Sequence, residues 1–337
     1  MQFASDTLAP ACPEVMESLA RANHGKVPSY GDDDLTRQVE ARVSELFERE
    51  ARVVLVATGT AANGLALAAL CPPWGAVYCH EAAHIEKDEC GAVPFFSGGA
   101  VLSLLPAPDG RLAPETLAAG IPAPGRVHEV QPGAVSLTQA TEWGTVYRPD
   151  RIAALAEVAR DRGLPLHMDG TRFANAVARL GVAPADLSWR AGVDVLCLGG
   201  TKNGAMAVEA VVMFDPARAW EVELRRKRAG HLPAKMRFLA AQMLGLLEDG
   251  VWLRNAARAN AMADRLAAGL AAAEGVELTH PVEANIVFAD LPRAGAERLE
   301  AAGSRLDADW VGDTARCRFV CPWSTTEAEV DALLAAL

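Results

Sequence analysis

The chain has 337 residues, which is enough for a large domain together with a smaller one. It carries 43 acidic and 32 basic side chains and a net charge of -11, and its one basic cluster is "RRKR" at residues 225–228, so no nucleic-acid partner is expected. The seven cysteines lie far apart, without CxxC pairs or zinc-ligand spacing, which favours reduced thiols and a cytoplasmic protein. The start "MQFASDTLAP" lacks an export-signal pattern and no apolar run approaches about 18 residues, so neither export nor a membrane span is expected.

Short apolar runs alternate with helical stretches through the first two thirds of the chain. The predicted elements are, in order, strand 51–57, helix 61–70, strands 75–79, 100–105 and 134–138, helix 150–163, and strands 165–169, 194–199 and 209–214. This alternation predicts an α/β fold with a mainly parallel sheet between helices. Catalytic groups are then expected at the carboxyl ends of the strands.

The pattern changes after Pro216 to long helical runs, followed by a few short strands. A helical stretch at 250–275 precedes strand-like segments at 276–280, 285–291 and 316–321. We therefore predict two domains, an N-terminal arm with a large domain at 1–247 and a small C-terminal α+β domain at 248–337.

The stretch "VVLVATGTAANGLAL" takes a buried strand directly into a helix through Thr58, Gly59 and Thr60. Such a turn presents backbone N–H groups at a helix N-terminus, which suits a phosphate group. No lysine follows the glycine and the GxGxxG spacing is missing, so the turn is neither a Walker loop nor a dinucleotide fingerprint. A simple helix cap by either threonine is the equally favoured alternative.

Two further strand ends carry single charged groups, Asp169 in "LHMDGTRFAN" and Lys202 in "LCLGGTKNG". Asp169 can cap the next helix, ligate a metal together with His167, or partner a buried cation; no third metal ligand has convincing spacing. Lys202 follows an apolar strand among small residues, where desolvation favours the neutral, nucleophilic amine, although a lysine that reaches solvent is the alternative.

A phosphate turn, an acid and a lysine together fit one cofactor, pyridoxal 5'-phosphate. The phosphate would lie at Gly59 and Thr60, Asp169 would keep the pyridine nitrogen protonated, and Lys202 would hold the aldehyde as a Schiff base.

Several motifs also resemble one family in their order and spacing: "FASDT", "YGDDD", "ATGTAANGLAL", "AAHIEKDECGA", "SLTQATEWGTVY", "LHMDGTRFANA" and "LGGTKNG". They are similar to the low-specificity L-threonine aldolases, pyridoxal-phosphate enzymes with the aspartate-aminotransferase fold. The resemblance implies a reversible carbon–carbon lyase that cleaves L-threonine, L-allo-threonine and related β-hydroxy-α-amino acids, such as phenylserine, to glycine and an aldehyde. It also implies a homo-oligomer, usually a tetramer, with sites at subunit interfaces.

The resemblance assigns roles to individual residues. His84 resembles the imidazole that stacks on the cofactor ring, and His128 the one near the substrate hydroxyl, where it would act as the base. Ser5, Arg172 and Arg318 resemble the groups that bind the substrate carboxylate. A further set, Tyr30, Lys235 and Arg237, resembles residues that reach the site from a neighbouring subunit to bind substrate or cofactor.

Four points stay open at the level of the sequence. The segment 301–315 is weakly similar to the family, so Arg316 competes with Arg318, which keeps its distance to "PWSTTEAEV". Thr171 stands where many relatives have alanine, and His167 has no assigned role. Alternative functions are β-elimination, racemisation or transamination with the same cofactor, a metal-dependent aldolase or hydrolase at His167 and Asp169, and a catalytically silent binding protein.

Overall fold

The structure, a computed structural model, describes residues 2–337, which form two β-sheets surrounded by helices. The strands are β1 (Arg52–Val56), β2 (Gly75–His80), β3 (Val101–Leu105), β4 (Gln131–Thr138), β5 (Leu166–Gly170), β6 (Val195–Gly199), β7 (Glu209–Met213), β8 (Glu277–Leu278), β9 (Ile286–Pro292), β10 (Asp307–Val311) and β11 (Thr314–Val320). The helices are α1 (Pro13–Ala22), α2 (Asp34–Leu46), α3 (Gly59–Leu70), α4 (His84–Lys87), α5 (Ala92–Ser97), α6 (Pro114–Gly120), α7 (Pro149–Asp161), α8 (Phe173–Leu180), α9 (Ala219–Arg228), α10 (Arg237–Leu247), α11 (Val251–Ala272), α12 (Arg293–Ala301) and α13 (Glu327–Ala336).

The large sheet confirms the mainly parallel architecture predicted from the sequence. Its strand order is β1-β7-β6-β5-β4-β2-β3, and β7 alone runs antiparallel to its neighbours. The strands are rich in β-branched and apolar residues, and hydrophobic clusters cover both faces of the sheet, as is usual for parallel sheets. Because six strands run in one direction, their carboxyl ends meet at one edge.

Helix α3 is buried on nearly all sides, because its side chains are almost all alanine and leucine. Residues 61–68 are all buried, and Asn63 is the one polar side chain among them. A helix that is apolar all round belongs in a core, so a buried amide within it requires hydrogen-bond partners.

The C-terminal strands form a separate antiparallel sheet in the order β10-β11-β9-β8. Strand β10 was not predicted, because two aspartates interrupt the apolar residues of its sequence "DADWV" and its residues are largely exposed. The hydrophobic cluster of this sheet includes Phe3, whose carbonyl accepts a hydrogen bond from the backbone N–H of Val320 (2.7 Å). The N-terminal arm thus packs on the small sheet, and the domain boundary at 247/248 stays a prediction.

Helix α11, the longest at 22 residues, connects the two sheets and packs against α8 and α13. It carries several charged side chains along its length. Within residues 2–337, no helix has both the length and the apolar character that crossing a bilayer requires.

Candidate active site

Three strand ends bring the candidate residues to one edge of the large sheet. The register pairs Thr138 of β4 with Asp169 of β5, and Asp169 with Cys197 of β6. Gly199, at the end of β6, pairs with Glu209 at the start of the antiparallel β7. The parallel register therefore places Asp169 close to the turn that carries Lys202.

The turn before α3 lies at the same edge. The Thr58 hydroxyl accepts a hydrogen bond from the backbone N–H of Ala61 (3.2 Å) and so caps the helix. The cap and the phosphate site are compatible, because the first N–H groups of a helix, here those of Gly59 and Thr60, have no carbonyl partner within it. A Cβ on Gly59 would lie 3.8 Å from Oγ1 of Thr171, which places this turn beside the end of β5.

Asp169 is buried and its two carboxylate oxygens have different surroundings. Oδ1 accepts from both the backbone N–H and the hydroxyl of Thr171 (3.0 and 2.6 Å), whereas Oδ2 accepts from Nδ2 of Asn63 (2.9 Å). Burial alone would raise the pKa of Asp169, but the hydrogen bonds from Thr171 and the nearby His84 outweigh burial and lower it. Asp169 is therefore a permanent anion with capacity at Oδ2 for one more donor.

Lys202 lies in a 3-10 turn, Thr201–Asn203, directly after β6. The chain has five lysines, and the other four are exposed at Lys26, Lys87, Lys227 and Lys235. Burial, followed by the positive charge of Arg172, lowers the pKa of Lys202, which favours the neutral amine. No hydrogen bond or ion pair within residues 2–337 holds the Lys202 amine.

Glycines allow this turn to approach β5 and β7 closely. A Cβ on Gly199 would overlap the carbonyl oxygen of Thr171, and a Cβ on Gly200 would lie 2.5 Å from that of Val208. Glu209 stabilises the turn, because its carboxylate accepts a hydrogen bond from the backbone N–H of Gly200 (2.8 Å). Burial raises the pKa of Glu209 to about 7.

Arg172 is buried at the start of α8 and is bound by Asp6 of the N-terminal arm. Its Nε and Nη2 donate to the two Asp6 oxygens at 2.8 and 3.1 Å, which leaves Nη1 for a ligand. Asn285 donates a further hydrogen bond to Asp6 (3.1 Å). Burial opposes the charge on Asp6, but Arg172 and Lys202 stabilise it and lower its pKa to about 2.

Arg316 and Arg318 extend from the same face of β11 into different environments. Arg316 is exposed and makes a two-pronged ion pair with Asp290. Arg318 is half-buried, 3.5 Å from both the Ala4 carbonyl and Asp307, and burial followed by the charge of Arg172 lowers its pKa. Of these two arginines, Arg318 is the one whose pKa is affected by the charges of Arg172 and Asp6.

Ser5, beside Asp6 in the same arm, is half-buried. Its hydroxyl accepts a hydrogen bond from the backbone N–H of Thr7 and pairs with the Thr7 hydroxyl at 2.8 Å. It therefore caps the short 3-10 turn Asp6–Leu8 that carries Asp6 to Arg172.

His84 begins α4 and is held by two carboxylates. Its Nδ1 lies 2.9 Å from Oε1 of Glu89, and its backbone N–H donates to Glu142 (2.7 Å). The bond to Glu89 is the main cause of a raised pKa of His84. Burial raises the pKa of Glu142 to about 7. Ligand atoms of His84 and Asp169 lie within 4.8 Å of each other, and the charges of Asp169 and Lys202 both affect the pKa of His84.

His167, whose role the sequence left open, lies in the core behind Asp169. Its Nδ1 is 2.9 Å from the Ser136 hydroxyl and its Nε2 is 3.3 Å from the sulfur of Cys197. Burial lowers its pKa to about 4, so the ring is neutral. Both ring nitrogens are engaged, which leaves neither available to a metal at Asp169.

His128 does not reach the Lys202 edge of its own chain. It lies on an exposed loop before β4, and the loop is fixed by Gln131, whose side chain accepts from the N–H of Gly125 and donates to the carbonyls of Arg126 and Glu129. From Gln131 the strand runs eight residues, about 25 Å at roughly 3.3 Å per residue, before it ends at the site. The predicted role of His128 as a base thus requires a second copy of the chain.

The residues predicted to act on a neighbouring subunit also lie on the surface. Tyr30 is exposed, its ring is 4.5 Å from the Lys227 amine, and its backbone N–H donates to Ala234 (3.0 Å). Lys235 is exposed as well. Arg237 donates to the carbonyls of residues 24 and 25. These contacts involve none of the residues around Lys202.

Sequence reasoning missed four residues of the site: Asp6, Asn63, Glu89 and Glu142. A lone asparagine within an apolar helix was a usable signal for Asn63, because a buried amide needs partners. The three carboxylates lie within motifs that carry the resemblance, but the residue pattern alone did not mark them, since their burial depends on tertiary packing. The structure also explains the glycines at 199 and 200, because three chain segments approach one another too closely there for a side chain.

Pyridoxal phosphate fits this arrangement. The N-terminus of α3 supplies donors for a phosphate, Oδ2 of Asp169 has capacity for a pyridinium N–H, and the amine of Lys202 is unpaired within the described residues. The fold and these residues together define a pyridoxal-phosphate enzyme of the fold-type-I class. The fold is shared with Sphingomonas wittichii serine palmitoyltransferase, on which the chain superposes with a TM-score of 0.72 at 16% identity, over 100% of this chain and 86% of that one.

Sequence comparison identifies the family. The beta-eliminating lyase family matches residues 2–293, so the chain belongs to this family and is a pyridoxal-phosphate-dependent lyase. It is 46% identical to the low specificity L-threonine aldolase of Pseudomonas sp. (strain NCIMB 10558), over 99% of this chain and 96% of the relative. Identity to the enzyme of that name from Pseudomonas aeruginosa is 47%, over 96% and 93% of the two chains. Among solved structures, Leishmania major threonine aldolase superposes with a TM-score of 0.93 at 28% identity, over 99% and 97%.

Proposed function

We propose that this protein is a low-specificity L-threonine aldolase, which cleaves L-threonine, L-allo-threonine and related β-hydroxy-α-amino acids to glycine and an aldehyde, reversibly. The observation that carries the proposal is a pair of guanidinium groups that both contact the N-terminal arm: Asp6 binds Nε and Nη2 of Arg172 and leaves its Nη1 free, and Nη1 of Arg318 lies 3.5 Å from the Ala4 carbonyl. Burial, followed by the charge of Arg172, lowers the pKa of both Lys202 and Arg318. Two guanidinium groups suit an amino-acid carboxylate. The names of the two Pseudomonas relatives support the same substrate.

The residues favour cleavage between Cα and Cβ over loss of the carboxylate. When bound, pyridoxal phosphate supplies an electron sink for the electron pair left at Cα. Arg172, Arg318 and the Ser5 hydroxyl hold the substrate carboxylate as an anion, and this opposes decarboxylation, which removes that charge. Asp169 stabilises positive charge on its ligand because it remains ionised and accepts one more hydrogen bond at Oδ2.

The β-hydroxyl proton needs an acceptor at the site. His84 is the histidine that lies close to Asp169 in one chain, and the charge of Lys202 affects its pKa. His128 serves the hydroxyl only if a second copy presents its loop, and Tyr30, Lys235 and Arg237 are proposed to reach the site in the same way. We therefore propose that the protein forms a homo-oligomer, namely a tetramer.

The test of the function is product analysis with purified protein and added pyridoxal phosphate. Equimolar glycine and acetaldehyde from L-threonine, with little product from D-threonine, is the expected result. L-serine as a comparison substrate tests β-elimination, since ammonia and a keto acid would replace glycine. Either those products or an activity that is lost to a metal chelator contradicts the proposal.

Subunit complementation tests the shared site. We expect Lys202→Ala and His128→Ala to be separately defective, and hybrid oligomers formed by mixing them to regain activity. Recovery is expected because one kind of mixed site combines an intact Lys202 with an intact His128 from the other chain. Failure of well-mixed hybrids to recover any activity contradicts a role of His128 across the interface.

A cytoplasmic location is proposed from the cysteines. All seven are free thiols, and six of them are buried. Free thiols are usual in reducing compartments. Fractionation of the source cells, with a cytoplasmic marker enzyme as the control, tests this location.

A further inference from the structure

A buried hydrogen-bond chain connects His84 to Asp169. Oε1 of Glu89 lies 2.9 Å from Nδ1 of His84 and accepts from Nδ2 of Asn63 at 2.8 Å. The same Asn63 nitrogen donates to Oδ2 of Asp169 at 2.9 Å. The two N–H bonds of one amide thus bridge two carboxylates. The hydrogen bonds join three parts of the fold, which are α3, α4 with the turn after it, and β5.

These hydrogen bonds bury polar groups at a cost in folding free energy that a purely structural role would not require. Asn63 and the side chain of Glu89 are both fully buried, at 0% exposure. One oxygen of each, Oδ1 of Asn63 and Oε2 of Glu89, has no hydrogen-bond partner within residues 2–337. An apolar pair of similar volume would fill the space without these unpaired atoms, so stability does not explain the two residues. They are explained by what they hold, which is His84 and Asp169.

A metal ion is the alternative reading of the same group. Ligand atoms of His84, Glu89 and Asp169 all lie within 4.8 Å of one another. However, the Asn63 nitrogen stands between the two carboxylates and presents hydrogens, which a cation would repel. In the hydrogen-bond chain the orientation of the amide is fixed, because the opposite orientation would turn its oxygen toward two carboxylates that only accept. The geometry favours a hydrogen-bond chain over a metal site.

We propose that Glu89 and Asn63 are positioning residues for the aldol cleavage: they fix the His84 ring with Nδ1–H toward Glu89, leave Nε2 to face the reaction, and tie the ring to Asp169. The part that names a reaction rests on the proposed function. The part that concerns the His84 ring is a property of the protein itself and can be measured without substrate.

Several charged groups face His84, and Glu89 dominates among them. Asp169 faces it from β5, Lys202 from the turn after β6, and Glu142 accepts from its backbone N–H. The hydrogen bond to Glu89 is the largest contribution and raises the pKa of His84. Neutralising Glu89 while keeping its shape should therefore lower the pKa of His84, because the imidazolium loses its closest counter-charge.

The matched variants are Glu89→Gln and Glu86→Gln. Both remove one carboxylate from the same short stretch of chain, but Glu86 is exposed and lies outside the hydrogen-bond chain. Nitrogen NMR of the imidazole ring reports the tautomer and the titration midpoint of His84. The His84 signals are assigned by their loss in His84→Gln. The spectra are recorded on the full-length protein with and without pyridoxal phosphate. The kcat and KM for L-threonine are measured in parallel.

In the wild type we expect a neutral His84 protonated at Nδ1 and a titration midpoint above that of an ordinary histidine. Glu89→Gln should move the midpoint to lower pH and reduce kcat at least about tenfold, with KM changed less, as for other carboxylates that orient a catalytic imidazole. Glu86→Gln should match the wild type in both. The expected loss of kcat without a comparable loss of binding separates positioning from a general structural defect.

The inference is overturned if the wild-type ring is protonated at Nε2, or if Glu89→Gln leaves the His84 midpoint where it was. The wild-type measurement decides even if a variant does not fold. Tight binding of Zn²⁺ or Mg²⁺, abolished by Glu89→Gln, also overturns it in favour of a metal site. If the wild type shows the expected tautomer and midpoint but releases no glycine from L-threonine, the proposed function fails and the His84–Glu89 pairing stands.

Discussion

Replacing Asp6 by asparagine should destabilise the fold and weaken substrate binding together. Asp6 binds Arg172 through both carboxylate oxygens, and both side chains are buried. The amide that replaces the carboxylate keeps one oxygen, but its nitrogen is a donor and faces a guanidinium that is also a donor. At least one of the two bonds is therefore lost, and a buried positive charge is left without its counter-charge.

The magnitude follows from the pKa of Asp6, which the fold lowers from 3.8 to about 2. One pKa unit corresponds to 1.36 kcal/mol, so the ionised carboxylate contributes about 2–3 kcal/mol to the free energy of unfolding. Because the folded pKa is the lower one, this contribution is complete above about pH 4 and is lost as the pH falls towards 2. The wild type should thus lose its advantage over Asp6→Asn between those two pH values.

The control is Asp264→Asn, because Asp264 makes the same two-pronged contact with Arg179 on the surface. Exposed pairs of this kind contribute about 0–1 kcal/mol. Urea unfolding of the cofactor-free protein at pH 7, and across the acid range, gives the comparison. Equal stability of the two variants at pH 7, or a difference between the wild type and Asp6→Asn that does not narrow in acid, would refute the reasoning.

Three further predictions concern the same edge of the sheet. Gly199→Ala should cost about 1–3 kcal/mol of stability and disturb cofactor binding, because its Cβ would overlap the Thr171 carbonyl oxygen; a variant with wild-type melting temperature and cofactor affinity contradicts this. Arg318→Ala should raise the KM for L-threonine about 10- to 100-fold, because a charge-assisted contact with the substrate carboxylate is lost. Arg316→Ala should leave the KM unchanged. The reverse result would assign the carboxylate contact to Arg316. Glu209→Gln should stabilise the cofactor-free protein by up to about 3 kcal/mol at pH 8 but not below pH 4.5. The reason is that the fold raises the pKa of Glu209 to about 7, so that ionisation of this carboxyl opposes folding. A gain in stability that does not depend on pH in urea titrations rules this out.

The sequence predicted the large sheet well because strands buried on both faces leave a strong apolar signal. The strands around Asp169 and Lys202 begin and end within a residue or two of their predicted positions. Strand β10 was missed for the opposite reason, since an exposed edge strand whose apolar residues are interrupted by aspartates lacks that signal. Helix α3 began two residues earlier than predicted, because the glycine and threonine of the turn already belong to it.

The site was predictable where a residue type is unusual for its position, as with Lys202 after an apolar strand. It was not predictable where a role depends on a distant partner. Asp6 is 166 residues away from Arg172 in sequence, and only the fold brings the two together. Likewise, the sequence places His128 near the substrate by resemblance, whereas the register of β4 places it at the far edge of its own sheet.

The most direct test of the account is to locate the lysine that holds the cofactor. The protein is loaded with pyridoxal phosphate, reduced with borohydride, digested, and its peptides are analysed by mass spectrometry. We expect close to one cofactor per chain, attached at Lys202, and no stable attachment in Lys202→Ala. Attachment spread over the four exposed lysines, or retained at full level in Lys202→Ala, would contradict the account.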